Sequence, residues 1–118
     1  MDLPHKTAIA AVENTIAASE ALRATLRLGE VTGRKMIKKL ESGVPVSGVV
    51  SAAGGNAADI RQSTNDALAL YEHCRHQMRI AFIGPSLDEG LSIGDVGRSL
   101  GVSRQLAARF AREARGED

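Results

Sequence analysis

Aromatic residues are nearly missing from this chain: among 118 positions stand no tryptophan, one tyrosine and two phenylalanines. An interior must therefore be assembled from alanine, leucine, isoleucine and valine, a composition that favours closely packed helices. The single cysteine, Cys74, excludes an intramolecular disulfide and any cysteine-rich zinc module, and a reducing cytosol is the expected compartment. Eighteen consecutive apolar residues occur nowhere, which excludes an ordinary transmembrane helix. The first residues, MDLPHKTAIAAVENTIAA, have neither a basic start nor an unbroken apolar stretch, so no export signal is expected. Net charge is also scarce, at +1, which argues against a protein that coats nucleic acid indiscriminately, since that footprint is basic over much of the surface. A site-specific binder needs positive charge only where the phosphates sit.

What is present reads as helix from end to end. Residues 5–28 contain no glycine and no proline, predicting a long first helix that Gly29 ends. Its bulkiest stripe is Ile9, Val12, Ile16, Ser19, Leu22 and Leu26, and one side is expected to be buried. A second helix is predicted over residues 33–41, with Thr32 as cap and the Gly43, Val44, Pro45 sequence as stop. Arg34 and Lys35 would then stand in a first turn, where the helix dipole disfavours cations unless an anion is near. Together with Lys38 and Lys39 they are candidates for contacts to a phosphate backbone. Residues 44–55 suit a short helix better than a strand, because an isolated strand has no partner in a helical sequence. Asn56 and Asp59 form a capping pattern, predicting the longest helix over residues 56–83 with Gly84-Pro85 as its end. Along it Ile60, Thr64, Ala67, Tyr71, Cys74, Met78 and Ala81 recur at alternating spacings of four and three, a heptad seam. A small domain gains from oligomerisation, so that seam (Ile60, Ala67, Tyr71, Cys74, Met78) or the Ile16 stripe is expected to pair two copies.

Residues 92–114 carry the most specific pattern. Ser92 with Asp95 three residues on makes a capping box. Ile93, Val96, Gly97 and Leu100 then follow helical spacing on one face, leaving Asp95, Arg98 and Ser99 outward. Gly101 accepts the left-handed backbone of a sharp turn, Val102 is its apolar plug, and Ser103 caps the next helix. There Leu106, Ala107, Phe110 and Ala114 point inward and Gln105, Ala108, Arg109 and Arg112 outward. Residues 98–112 hold four arginines and no acid, whereas a merely solvated face mixes signs.

This segment resembles the helix-turn-helix family of bacterial transcription regulators, whose usual pattern is G-V-S-R-Q after a short helix with a small residue four before the glycine. The resemblance covers about the last quarter of the chain. The family commonly has alanine where Gly97 stands and a β-branched residue near Ala107, so this copy departs at two packing positions while keeping them small. It implies that Ser103, Arg104, Gln105, Ala108, Arg109 and Arg112 lie at or near DNA, with the helix from Ser103 in the major groove. The side chains suit that role: arginine forks onto guanine, glutamine pairs with adenine, and Ala108 can meet a thymine methyl. Arg98 is expected at a phosphate.

An all-α architecture follows, with an N-terminal helical scaffold over residues 1–83, containing two long helices and one or two short ones. A helix-turn-helix over residues 84–118 completes it, braced by residues 79–83. The expected partners are double-stranded DNA and a second copy, with no membrane, in the cytoplasmic nucleoid. The expected function is sequence-specific DNA binding. Two alternatives stay open: a helical protein-interaction adaptor built on a drifted cassette, motivated by the near-neutral charge, and a nucleoid-structuring protein without sequence preference. Metal, cofactor and enzymatic readings are weak. His73 and His76 share a helix face, but Cys74 points away from them and Glu72 is the nearer partner for His76. Gly54-Gly55 lacks the rest of a phosphate loop, and no nucleophile elbow is legible.

Overall fold

Four helices make up the computed structural model, which describes residues 1–117, and of residues 53–56 the backbone only: α1 (Leu3–Glu41), α2 (Val46–Asp88), α3 (Ile93–Leu100) and α4 (Arg104–Ala114). No strand occurs among the described residues, so the chain is all-α as expected. Each helix ends on a glycine of positive φ, at Gly43, Gly90, Gly101 and Gly116. At Gly101 the cap is a Schellman motif: its N–H reaches the Arg98 carbonyl at 3.3 Å and the Val102 N–H reaches the Gly97 carbonyl at 2.9 Å, satisfying carbonyls that the last turn leaves over.

The expected breaks inside the scaffold are absent. Gly29 and Gly33 lie within α1 at negative φ, and Thr32, expected as a cap, donates from Oγ1 to the Leu28 carbonyl at 3.1 Å. A glycine in a helix costs about 1 kcal/mol relative to alanine, whereas a break there forfeits several backbone hydrogen bonds. Leu28 and Glu30 flank Gly29, Arg34 and Lys35 follow Gly33, all good helix formers, and the Glu30–Arg34 pair at 3.8 Å spans Gly33. Residues 46–55 are the first turns of α2 rather than a separate short helix. Because α2 passes through residue 56, no helix begins there, and the side chain of Asn56 lies outside the described residues. Gly84-Pro85 does not end the helix either. Pro85 is inside α2, three positions from its end at Asp88, where the hydrogen bond it forfeits to the Ala81 carbonyl is one of few remaining. At the other end, Asp2 caps α1 by accepting from the His5 N–H at 3.0 Å, two residues earlier than the sequence suggests.

Two units are distinguishable, one made of Met1–Ile16 with Glu72–Asp118, the other of Ala17–Tyr71. Within the second, the two helices join through residues 42–45, and the buried apolar positions are Ala18, Val49 and Ala67. Within the first, Ala11 and Thr15 of α1 are buried. Thr15 Oγ1 donates to the Ala11 carbonyl at 2.8 Å and lies 3.2 Å from the Cys74 carbonyl on α2. The covered side of α1 is thus a run of small residues, Ala11, Thr15 and Ala18, continued by the half-buried Leu22, Thr25, Gly29 and Thr32. Of the bulky stripe expected inside, Ile9, Ile16 and Leu26 are 43%, 53% and 47% exposed, while Val12, Ser19 and Leu22 are half-buried. Small contact residues let helix axes approach closely, and bulk is displaced to the flanks.

The largest fully enclosed side chain is Ile83, near the end of α2. It forms a cluster with Val96 of α3 and Phe110 and Ala111 of α4, against which Ile80, Leu87, Leu100 and Leu106 pack. Ile83→Ala should therefore lower stability in urea by about 2–5 kcal/mol, as for other buried large-to-small changes. A loss under about 1 kcal/mol would show that this cluster does not hold the C-terminal helices to α2.

Candidate nucleic-acid interface

The two short helices are positioned by their own caps before any long-range contact acts. Ser92 Oγ accepts the Asp95 N–H at 3.0 Å while Asp95 Oδ2 accepts the Ser92 N–H at 3.1 Å, the reciprocal box that starts α3. Ser103 Oγ accepts the Leu106 N–H at 3.1 Å and starts α4. These hydrogen bonds, the Ser92 side chain first and its backbone N–H second, hold the Asp95 carboxyl below the usual carboxylate range, with Arg98 adding to the effect. A carboxylate whose pKa is lowered by folding stabilises the fold above its ordinary pKa, and that contribution fades as pH falls through the lowered value. The cap of α3 therefore weakens in acid.

Between the caps the helices approach closely. A Cβ placed on Gly97 would lie 3.2 Å from the Val102 carbonyl oxygen and 3.5 Å from the Ala107 Cβ, so the small residues at 97 and 107 set the spacing of α3 and α4. In α3, Val96 and Gly97 are buried, with Ile93 and Leu100 half-buried. In α4, Ala107, Phe110 and Ala111 are buried. Ala111 was not among the residues expected inward, although its spacing from Ala107 is the helical four.

The opposite side of α4 is solvent-facing. Arg104, Gln105, Arg109 and Arg112 are exposed, as is Ser103, and Ala108 is half-buried between them. Arg104, Arg109 and Arg112 are exposed, and the ion pairs among the described residues do not include them. Arg98 differs, because one of its guanidinium nitrogens pairs with Asp95 Oδ1 on the outer side of α3. That pair is solvent-exposed and of the kind worth little by itself, so an external phosphate can compete for the arginine.

One side of α4 is tied to α2. His76 Nε2 lies 2.7 Å from Glu113 Oε2, and the His76 ring meets Phe110 edge-on at 5.2 Å. Arg79 stands 5.7 Å from the centre of the same phenyl ring, within cation–π range. The local Glu72–His76 pair expected from spacing does not form; Glu72 pairs with Arg75 at 2.9 Å instead. Glu113 pairs with His76 rather than with an arginine of α4.

The other candidate phosphate contacts belong to a different unit. Arg34, Lys35, Lys38 and Lys39 are exposed on α1, within Ala17–Tyr71, and the structure does not bring them together with the α4 stripe in one unit. Arg34 and Lys35 stand inside α1 rather than in a first turn, and Lys38 and Lys39 occupy its last turn, where the dipole favours cations. Among the residues considered for pairing two copies, Ala67 is buried and Ile60, Tyr71, Cys74 and Met78 are half-buried within the single chain, whereas Ile16 is exposed.

No protein-family model, curated protein or solved structure matches this chain. No group of three or more potential metal ligands occurs among the described residues. Among the described residues no helix is long and apolar enough to cross a membrane.

The close approach at Gly97 sets a graded expectation. Alanine there gains about 1 kcal/mol of helix propensity but presses on the Val102 carbonyl, so stability in urea should change by less than about 1 kcal/mol. Leucine should overpack the crossing and lose about 1–3 kcal/mol or more. An unaltered midpoint for the leucine variant would mean that α3 and α4 do not rely on this contact.

Proposed function

We propose that the chain is a sequence-specific DNA-binding transcription regulator in which α3, the Gly101-Val102-Ser103 turn and α4 act as a helix-turn-helix, with α4 entering the major groove. The observation that carries this reading is the exposed stripe of Gln105, Arg109 and Arg112 on α4, directly opposite the buried Ala107, Phe110 and Ala111. A helix so divided offers forked donors to guanine and a paired donor and acceptor to adenine, while its other side is fixed to a small core. Ser103 and Arg104 stand at its N-terminal end, the part that reaches base edges when a recognition helix lies in the groove. Arg98, outside the stripe, is assigned to the phosphate backbone.

The proposed partners are double-stranded DNA and a second copy of the chain, and the proposed location is the bacterial nucleoid. A single cassette reads few base pairs, so two-fold pairing doubles both base readout and phosphate contacts. The modest total charge fits this division, since a cluster of exposed arginines in one segment suffices for a local footprint.

Selection of bound sequences from a random duplex pool tests the proposal. The intact chain should enrich one motif, and Gln105→Ala and Arg109→Ala should each relax preference at particular positions by about 1–3 kcal/mol. Arg98→Ala should weaken all sequences alike. Binding with no enriched motif would favour a nucleoid-structuring protein, and failure to bind any duplex at low salt would leave a protein-interaction adaptor.

A further inference from the structure

We infer that His76 of α2 is a positioning residue for base reading: through Glu113 and Phe110 it fixes the C-terminal end of α4, and with it the aim of Arg112. This rests on the reading of α4 as the recognition helix. All four residues belong to the unit of Met1–Ile16 with Glu72–Asp118.

Two kinds of contact hold α4 to α2. The apolar cluster of Ile83, Phe110 and Ala111 attracts without direction, so it keeps one side of α4 inward while the helix slides or swings. Hydrogen bonds and edge-on aromatic contacts hold only over a narrow range of angles. His76 makes both. Its Nε2 lies 2.7 Å from Glu113 Oε2, and because a carboxylate only accepts, the imidazole donates. The same ring meets Phe110 edge-on, with 5.2 Å between centres and 68° between planes, and Arg79 holds Phe110 again at 5.7 Å. Toward the other end of α2, a Cβ on Gly84 would meet the Ala114 Cβ at 3.7 Å. His76 and Gly84 stand about 12 Å apart along α2, so the end of α4 is bracketed between them. Without His76 the bracket is open on one side.

The other end of α4 is fixed independently. Ser103 caps it, and Ala107 meets the crossing at Gly97, which makes that contact the pivot for any swing. Arg112, five residues beyond Ala107, stands about 7.5 Å along the axis, so a swing of about 15° carries it about 2 Å. The distance window of a hydrogen bond is about 0.5 Å wide, and a forked pairing must meet it twice. Gln105, two residues before the pivot, moves less than half as far. Cohesion depends little on the bracket, because His76 and Glu113 are 31% and 52% exposed and such pairs add little to stability.

Variants of the full chain separate aim from cohesion. Selection from a random duplex pool with Arg112→Ala and Gln105→Ala identifies the base positions that each side chain reads. His76→Ala should lower preference about tenfold at the Arg112 positions, within the range of one forked pairing, and leave the Gln105 positions unchanged. His76→Gln, whose amide nitrogen donates to Glu113 in place of Nε2, should recover most of that preference. The urea midpoint of His76→Ala should stay close to that of the intact chain. Its backbone dipolar couplings, measured without DNA, should change in α4 and not in α3. An intact chain that binds no duplex ends the reading of α4 as a DNA reader and leaves the couplings to decide whether His76 fixes the helix. Unchanged couplings in α4, equal loss at both sets of positions, no recovery with glutamine, or a urea midpoint as low as that of Ile83→Ala overturns the proposal.

Discussion

Ile83 joins a long helix to two short ones, and the C-terminal arrangement depends on that contact. Helices of eight and eleven residues are below the length at which an isolated helix holds its shape in water. Their caps fix where they begin and end, but only burial fixes how they face. Ile83 supplies it by filling the space among Val96, Phe110 and Ala111. Once Phe110 and Ala111 are turned inward, helical geometry leaves Gln105, Arg109 and Arg112 no direction but outward. The proposed DNA-reading surface is therefore a consequence of apolar packing on the far side of the same helix.

Features governed by residues near one another in sequence were the legible ones. The capping box at Ser92, the cap at Ser103 and the turn glycine at Gly101 are each decided within a few residues, and all three appear at the predicted positions. The inward sets of α3 and α4 follow from spacing alone, apart from Ala111. Where competing terms are close in size, local reading failed. Gly29 and Gly33 each cost less than interrupting a long hydrogen-bonded run would, and Pro85, a strong breaker in a helix interior, stands in the last turn of α2, where few hydrogen bonds remain to be lost. The buried side of α1 was missed for another reason. Weighting apolar residues by bulk selects Ile9, Ile16 and Leu26, whereas two closely apposed helices select Ala11, Thr15 and Ala18 because these take least room. Small side chains at regular spacing were visible in the sequence, and they were the better signal. The His76–Glu113 pair was not readable, since it joins residues 37 apart.

Charge is distributed in a way that composition conceals. Glu30, Glu72 and Asp95 each pair with an arginine, so part of the acid content is locally neutralised. The arginines of α4 take no part in those pairs. A total near zero thus coexists with a strongly cationic strip, and under the proposed function binding would depend steeply on salt although the protein as a whole is almost neutral.

The glycine that separates α3 from α4 has a stereochemical consequence. At φ +69 nothing stands within 4 Å of where a Cβ on Gly101 would project, so handedness, not crowding, reserves the position for glycine. An L-alanine there would be strained by its own backbone, at a cost of about 1–2 kcal/mol. Its mirror image, D-alanine, is at ease in that conformation, and it would also narrow the unfolded ensemble, a gain of about 0.4–1 kcal/mol in comparable replacements of glycine. The turn between the two short helices is in this sense a right-handed residue's place filled by the one natural amino acid that has no hand.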